Sequence, residues 1–268
     1  MKSRRIPAFF AVLPLALAAC SNDNNNSTPP LTGAFALING ISDSDGLKAD
    51  VSNIPTIGPI DFGGASGINI LPLGSYKVQL TPGASGSSAF TVNNVSIDGN
   101  NLTTVVSYGT LAGNTQNGLT AEVSLNAPTN GQAVVQPVNA SLQNDANLYF
   151  YFVTPGAVIN SSTPTLTAKF GAATPTQSLT LPAGKYEIKA YPLPVCVTQV
   201  CPAIGVAGDT GFDSGPAGVS LPASDGANVF QLVAIDATSA QNTQYGSLLS
   251  LVLLDNNGDS KQLFNDQN

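Results

Sequence analysis

The chain has 268 residues, nine Lys or Arg against sixteen Asp or Glu, no His and no Trp, and a net charge of −7. That balance argues against nucleic acid, whose affinity comes from Lys and Arg on phosphates, and against anionic lipid headgroups met through a basic patch. Without His, the Ser-His-Asp and Cys-His mechanisms are closed to it, while a hydrophobic content of 43% still supplies a core under a sparsely charged surface.

The first element is a targeting segment. Lys2, Arg4 and Arg5 form a positive start, and residues 6–19 form an apolar run ending in small residues. The run is shorter than the ~20 residues a spanning helix needs, and Pro14 interrupts it. Its end, Leu17-Ala18-Ala19-Cys20, resembles the lipobox of bacterial lipoproteins. The resemblance implies cleavage before Cys20 and diacylglycerol on its thiol. The alternatives are an ordinary secretory signal cut after Ala19, or an uncleaved anchor. Ser21 stands where Asp would retain a lipoprotein of the Gram-negative type in the inner membrane. The resemblance therefore implies a cell-envelope protein lipid-anchored at the outer membrane, facing the periplasm or the surface. Loss of residues 1–19 leaves six Lys, no Arg and a mature charge of −10. Residues 20–32 then comprise the lipidated cysteine and a polar, low-complexity tether, which spans roughly 40 Å at full extension.

From Gly33 onward the pattern is β. Short alternating or apolar runs are divided by Gly, Pro, Asn and Asp clusters. Strands are expected over residues 34–39, 75–80, 103–108, 119–124, 133–138, 148–153, 185–191, 229–235 and 248–254. No stretch carries a sustained helical period, and the Val and Phe content of residues 227–234 suits a strand better than a helix.

The chain also repeats. Leu71-Pro-Leu-Gly-Ser-Tyr-Lys-Val78 returns as Leu181-Pro-Ala-Gly-Lys-Tyr-Glu-Ile188. Phe62-Gly63 precedes the first copy and Phe170-Gly171 the second; Ile38-Asn39 matches Val138-Asn139. After each copy, Val95-Ser96-Ile97 answers Val219-Ser220-Leu221. The second repeat gains residues between its Leu-Pro and Val-Ser motifs, and Cys196 and Cys201 lie in that gain. The expected fold is all-β: two tandem antiparallel β-sandwich domains, 33–128 and 129–268, joined by a polar linker near 126–131. In each motif Pro opens a turn, Gly completes it, and Tyr starts a strand with its hydroxyl sent to the edge.

The Leu-Pro-x-Gly-x-Tyr motif is similar to one in transthyretin-like bacterial sandwich modules. Together with Phe-Gly and the Ser42-Asp-Ser-Asp-Gly-Leu-Lys-Ala-Asp50 segment, both repeats resemble the DUF4397 family of exported all-β domains. That resemblance spans 33–268 and implies tandem modules on a lipoprotein with no catalytic residues to carry over. Repeat two departs from it, with Asn147 near where repeat one has Asp50.

The remaining residues offer little chemistry. Cys196 and Cys201, outside the cytoplasm, are expected to pair as a loop disulfide; their C-x4-C spacing is neither the redox nor the zinc pattern. No Lys has S-x-x-K spacing, and the Gly clusters lack the Lys-Ser/Thr of a phosphate loop. Carboxylate-based hydrolysis of glycans needs only Asp and Glu; the sole glutamates, Glu122 and Glu187, read as solvent-facing strand positions. Asp255, Asn257, Asp259 and Asp266 have the spacing of a calcium loop, yet Ser260 and Asp266 depart from it, and Asn257-Gly258 is a hairpin signal. Asp43, Asp45 and Asp50 form a weaker candidate. In Tyr149-Phe-Tyr-Phe152, alternation puts phenylalanines inward and leaves Tyr149 and Tyr151 as core-flanking residues or an exposed platform for a protein or glycan partner. The expectation is a non-catalytic envelope lipoprotein, a binding or structural module without cofactors. A calcium-dependent binding module or carboxylate hydrolase is the alternative.

Overall fold

Alternation and turn chemistry cut residues 31–124 into eight strands: β1 (Thr32–Ile41), β2 (Leu47–Val51), β3 (Ile57–Ile60), β4 (Asn69–Pro72), β5 (Gly74–Pro82), β6 (Phe90–Ile97), β7 (Asn101–Gly109) and β8 (Asn117–Ser124). The second half supplies β9 (Gln132–Asn139), β10 (Asn147–Val153), β11 (Leu166–Lys169), β12 (Leu179–Pro182) and β13 (Gly184–Tyr191). It continues with β14 (Phe212–Asp213), β15 (Val219–Leu221), β16 (Val229–Asp236), α1 (Ser239–Tyr245), β17 (Leu249–Asp255) and β18 (Ser260–Leu263). The computed structural model describes residues 31–52, 54–83, 88–126, 128–129, 131–159, 163–192, 211–222, 228–245 and 247–265. The all-β class is thus as expected, and each expected strand is found, the last beginning at Leu249.

The two halves have one topology. The first forms sheets β4-β1-β7-β8 and β3-β2-β5-β6. The second forms β12-β9-β16-β17-β18 and β11-β10-β13, with β14 and β15 both pairing to the free side of β13. In each, the opening strand runs parallel to a late one, β1 beside β7 and β9 beside β16; the other pairings between strands are antiparallel. Together β14 and β15 occupy the place of β6. Lys189 faces Asp213 where Gln79 faces Thr91, and Tyr186 faces Val219 where Tyr76 faces Val95.

Three apolar layers hold the sheets. Phe35, Leu37, Ile41, Val78, Leu80 and Val105 fill the first sandwich. Phe150, Phe212, Phe230, Leu232, Ile188 and Leu251 fill the second. Between them, Ala34, Ala36, Ile38, Leu102 and Val106 of the first half pack with Val138, Val229, Val233, Ile235 and Val252 of the second. The four sheets therefore stack in four layers. Both faces of β1, β7, β16 and β17 are buried, so these strands read as continuous runs rather than alternating ones. The fully buried apolar side chains of the middle layer are aliphatic, without an aromatic ring among those described, which lets the sheets approach closely. At Gly40 a Cβ would lie 2.7 Å from Ile235 Cγ2 and 2.4 Å from the Ser107 carbonyl oxygen, so only glycine fits there.

A polar chain crosses this layer. The Thr104 hydroxyl donates to Gln231 Oε1, Gln231 Nε2 donates to Gln136 Oε1 at 2.9 Å, and Gln136 Nε2 donates to the carbonyls of Glu122 and Thr174. All three side chains are fully buried, and each amide oxygen and nitrogen finds a partner, as burial requires. Among the described residues the departures from the expected strand-only pattern are two single-turn 3-10 helices, Leu142–Asn144 and Pro175–Gln177, and α1. Thr238 and Gln241 cap it reciprocally: Gln241 N donates to Thr238 Oγ1 and Thr238 N donates to Gln241 Oε1. This T-x-x-Q capping box was the available signal, too short for a periodicity search to register.

Candidate functional site

The repeated motifs do structural work in both halves. The Tyr76 hydroxyl donates to the Pro72 carbonyl at 2.8 Å, and Tyr186 does the same to Pro182 at 2.7 Å, closing each Leu-Pro-x-Gly-x-Tyr turn on itself. Asn39 Oδ1 accepts from Ile41 N, and Asn139 Oδ1 accepts from Ser141 N, both at 3.1 Å. The carbonyls of the two asparagines accept the Phe-Gly amides Gly63 N and Gly171 N. Their side-chain amides donate to the Ile60 and Asn144 carbonyls. Buried asparagine thus explains why the Asn and Phe-Gly motifs recur together.

Repeat two has one feature that repeat one lacks. On the outward side of β13, Lys189 Nζ lies 2.6 Å from Glu187 Oε1 and 2.8 Å from Asp213 Oδ2. Glu187 Oε2 accepts Gly156 N at 2.6 Å, and Asp213 Oδ1 accepts Gly215 N at 2.9 Å. The side chains of Glu187, Lys189 and Asp213 are 5%, 14% and 17% exposed. The equivalent residues of repeat one, Lys77 and Gln79, are exposed. Glu187 is therefore a correction to its expected solvent-facing position: β14 and the turn at Gly156 cover that side of β13.

Burial pushes the Glu187 carboxyl up, but the Lys189 hydrogen bond and charge, with the Gly156 amide, outweigh it and hold Glu187 below the ordinary range. Burial dominates at Asp213 and holds it above the ordinary range. Burial opposes the Lys189 charge, yet the hydrogen bonds and charges of the two carboxylates raise its pKa. The group is a lysine ion-paired to one strong and one weakened carboxylate in a poorly hydrated place.

Other acidic side chains are bound to backbone. Asp43 accepts Leu111 N and Ala112 N, and Asp98 accepts Asn100 N and Asn101 N. Buried Asp236 accepts Leu142 N, Gln143 N and the Ser141 hydroxyl. Asp50 accepts the Thr56 hydroxyl at 2.6 Å. Glu122 is half-buried, and burial, then the nearby Asp98 charge, raises its pKa.

The expected calcium residues fall on the β17–β18 hairpin. Asp255 Oδ1 accepts Asn257 N and Asp259 N, and Asp255 N donates to the Asp259 carbonyl. Gly258 has φ 92°, and a Cβ there would come within 2.6 Å of Ile68 N. The hairpin tip thus docks against repeat one. Asp266 lies outside the described residues, as do Cys20, Cys196 and Cys201. Among the described residues no three His, Cys, Asp or Glu side chains group as a metal site would require. Tyr151 is a correction to the exposed platform: it is 3% exposed, with its ring 6.2 Å from that of Tyr191. Tyr149 is half-buried.

Two grooves open on repeat one. One of about 370 Å³ lies between Ile54–Gly58 and Ser66–Leu71, beside Ile70, which is 64% exposed. The other, about 440 Å³, runs along Gly58–Asp61 and Gly64–Ser66 to Ser260 at the β17–β18 hairpin. Sequence reasoning missed both, because the first forms between separate edge segments of repeat one and the second where such segments meet the second repeat. No protein-family model matches the chain, and no curated protein matches it.

Proposed function

We propose that this is a non-catalytic, lipid-anchored envelope protein of the DUF4397 type, a stiff β body held at the membrane by Cys20 and presenting the grooves of repeat one to a partner. The observation that carries the reading is how the acidic groups are used. Asp43, Asp98, Asp236 and Asp255 accept backbone amides and hold loops, and Glu187 and Asp213 are engaged by Lys189. A general acid or base needs a carboxyl group within reach of a substrate proton, and these are committed elsewhere.

The lipid reading rests on the Leu-Ala-Ala-Cys segment. Two or more acyl chains give stable anchoring where one does not. At the other end of the tether, Leu31 is 73% exposed, and its carbonyl accepts Leu73 N; Leu73 is 39% exposed. This apolar pair suits the end of the body nearest a bilayer.

The test is metabolic labelling of the full chain with an alkyne palmitate analogue, alongside Cys20→Ser. Label on the wild type and its loss in the variant, with release from the membrane fraction, is the expected result. Label retained by Cys20→Ser would contradict the anchor. For the presenting role, envelope extract is passed over the mature protein and over Ile70→Lys. A species enriched by the first and lost by the second is expected; equal recovery would remove the groove from the proposal.

A further inference from the structure

We propose that Lys189 and Asp213 join through an intramolecular isopeptide bond, with Glu187 as the proton carrier. Three observations converge on it. Lys189 and Asp213 are register partners on adjacent strands, and the nucleophilic nitrogen already lies 2.8 Å from Asp213 Oδ2. A second carboxylate, Glu187 Oε1, touches the same nitrogen at 2.6 Å, where a proton must be taken and returned. The group is confined to repeat two, where Lys77, Gln79 and Thr91 of repeat one are replaced by Glu187, Lys189 and Asp213.

The step balances without an oxidant or a co-reactant. Lys189 passes one proton to Glu187 and attacks Asp213 Cγ through its neutral amine. A C–N bond forms and a tetrahedral centre results. Glu187 returns that proton to one Asp213 oxygen, then takes the second proton from the attacking nitrogen and passes it to the same oxygen; the C–O bond breaks, and water leaves with that oxygen and two hydrogens of the ammonium. The product is a neutral amide whose N–H faces Glu187, which stays ionised and keeps its Gly156 N–H bond. Burial that holds Asp213 toward its neutral acid favours attack, since an amine adds to a carboxylic acid more readily than to a carboxylate. The ion pair is the starting state, so proton transfer from Lys189 to Glu187 is the uphill part. Replacing two poorly hydrated charges by an amide relieves their desolvation cost. Expulsion of water from the covered site opposes the reverse hydrolysis.

The bond would staple β13 to β14 across residues 190–212, the stretch that contains Cys196 and Cys201. It would act as a covalent clamp on an exported domain, independent of redox conditions and of the lipid-anchor reading.

Intact mass of the folded mature chain, measured after thiol reduction so that cysteine pairing does not contribute, decides it. The expected mass is lower than the sequence mass by one water, and trypsin after denaturation yields a branched peptide joining Lys189 to Asp213. Asp213→Asn is expected to form the same amide with loss of ammonia rather than water from its own sequence mass. Glu187→Gln and Lys189→Arg are expected to show their full sequence masses. A wild-type protein at full mass, cleaved by trypsin after Lys189, would overturn the proposal whatever the variants do.

Discussion

Asn39 and Asn139 are the residues at which the duplication is most exacting. Each buries an amide that bonds backbone on two sides, so alanine leaves a carbonyl unpaired in the core. Asn139→Ala is expected to lower unfolding free energy by about 1–3 kcal/mol, and Tyr186→Phe by only about 0.5–1.5 kcal/mol, since the phenol bond is exposed. Urea unfolding of both variants checks the order. Glu187 carries the pH dependence. Its folded pKa lies below its unfolded value, so the stability it adds is present above an unfolded pKa of about 4.3. That stability is lost as pH falls through the folded value. In an Asp213→Ala background, which keeps Lys189 an ammonium, the urea midpoint is expected to fall across that window. Adding Glu187→Gln should remove the fall. Sequence reading located Tyr186 and Asn139 because they recur at matching positions. It misplaced Glu187, since nothing in Lys-Tyr-Glu-Ile-Lys says that β14 returns to cover it.

At the scale of elements, the middle layer depends on a few strands buried on both faces. Gln136 is the critical member of its polar chain, because it satisfies two carbonyls and Gln231 together. Gln136→Leu is expected to cost more than Thr104→Val, which removes one donor and leaves one acceptor. Buried unsatisfied groups cost about 1–3 kcal/mol each, and thermal unfolding of the two variants gives the comparison. Gly40→Val is expected to separate β1 from β16, because a Cβ there meets both backbone and Ile235. The strands of this layer were visible in sequence as apolar runs such as Val-Phe-Gln-Leu-Val-Ala-Ile. Their two-sided burial was not read from them, since a run that fills one sandwich and a run shared by two look alike over seven residues. Short edge strands such as β3, β4, β11 and β12 escaped for a different reason. Four residues are too few to carry a period, and Pro stands within β3, β4 and β12.

For the whole molecule, the consequence is mechanical. Residues 31–268 form one compact unit, and the apolar layer between the repeats is as closed to water as the layers within them. Such a body holds the repeat-one grooves and the repeat-two lysine group in fixed relation. Two separately flexible beads would not. The repeat was legible because motifs recur in order. The packing of one repeat on the other was not, because Ala34, Ala36, Val233 and Val252 are ordinary strand residues until the partner sheet is known. Hydrogen exchange of the folded chain at increasing denaturant, followed by mass spectrometry, tests the shared layer most directly. Peptides covering β7 and β16 are expected to lose protection together, in one cooperative opening. Loss of protection in β7 at a denaturant concentration where β16 remains fully protected, or the reverse, would contradict a shared core.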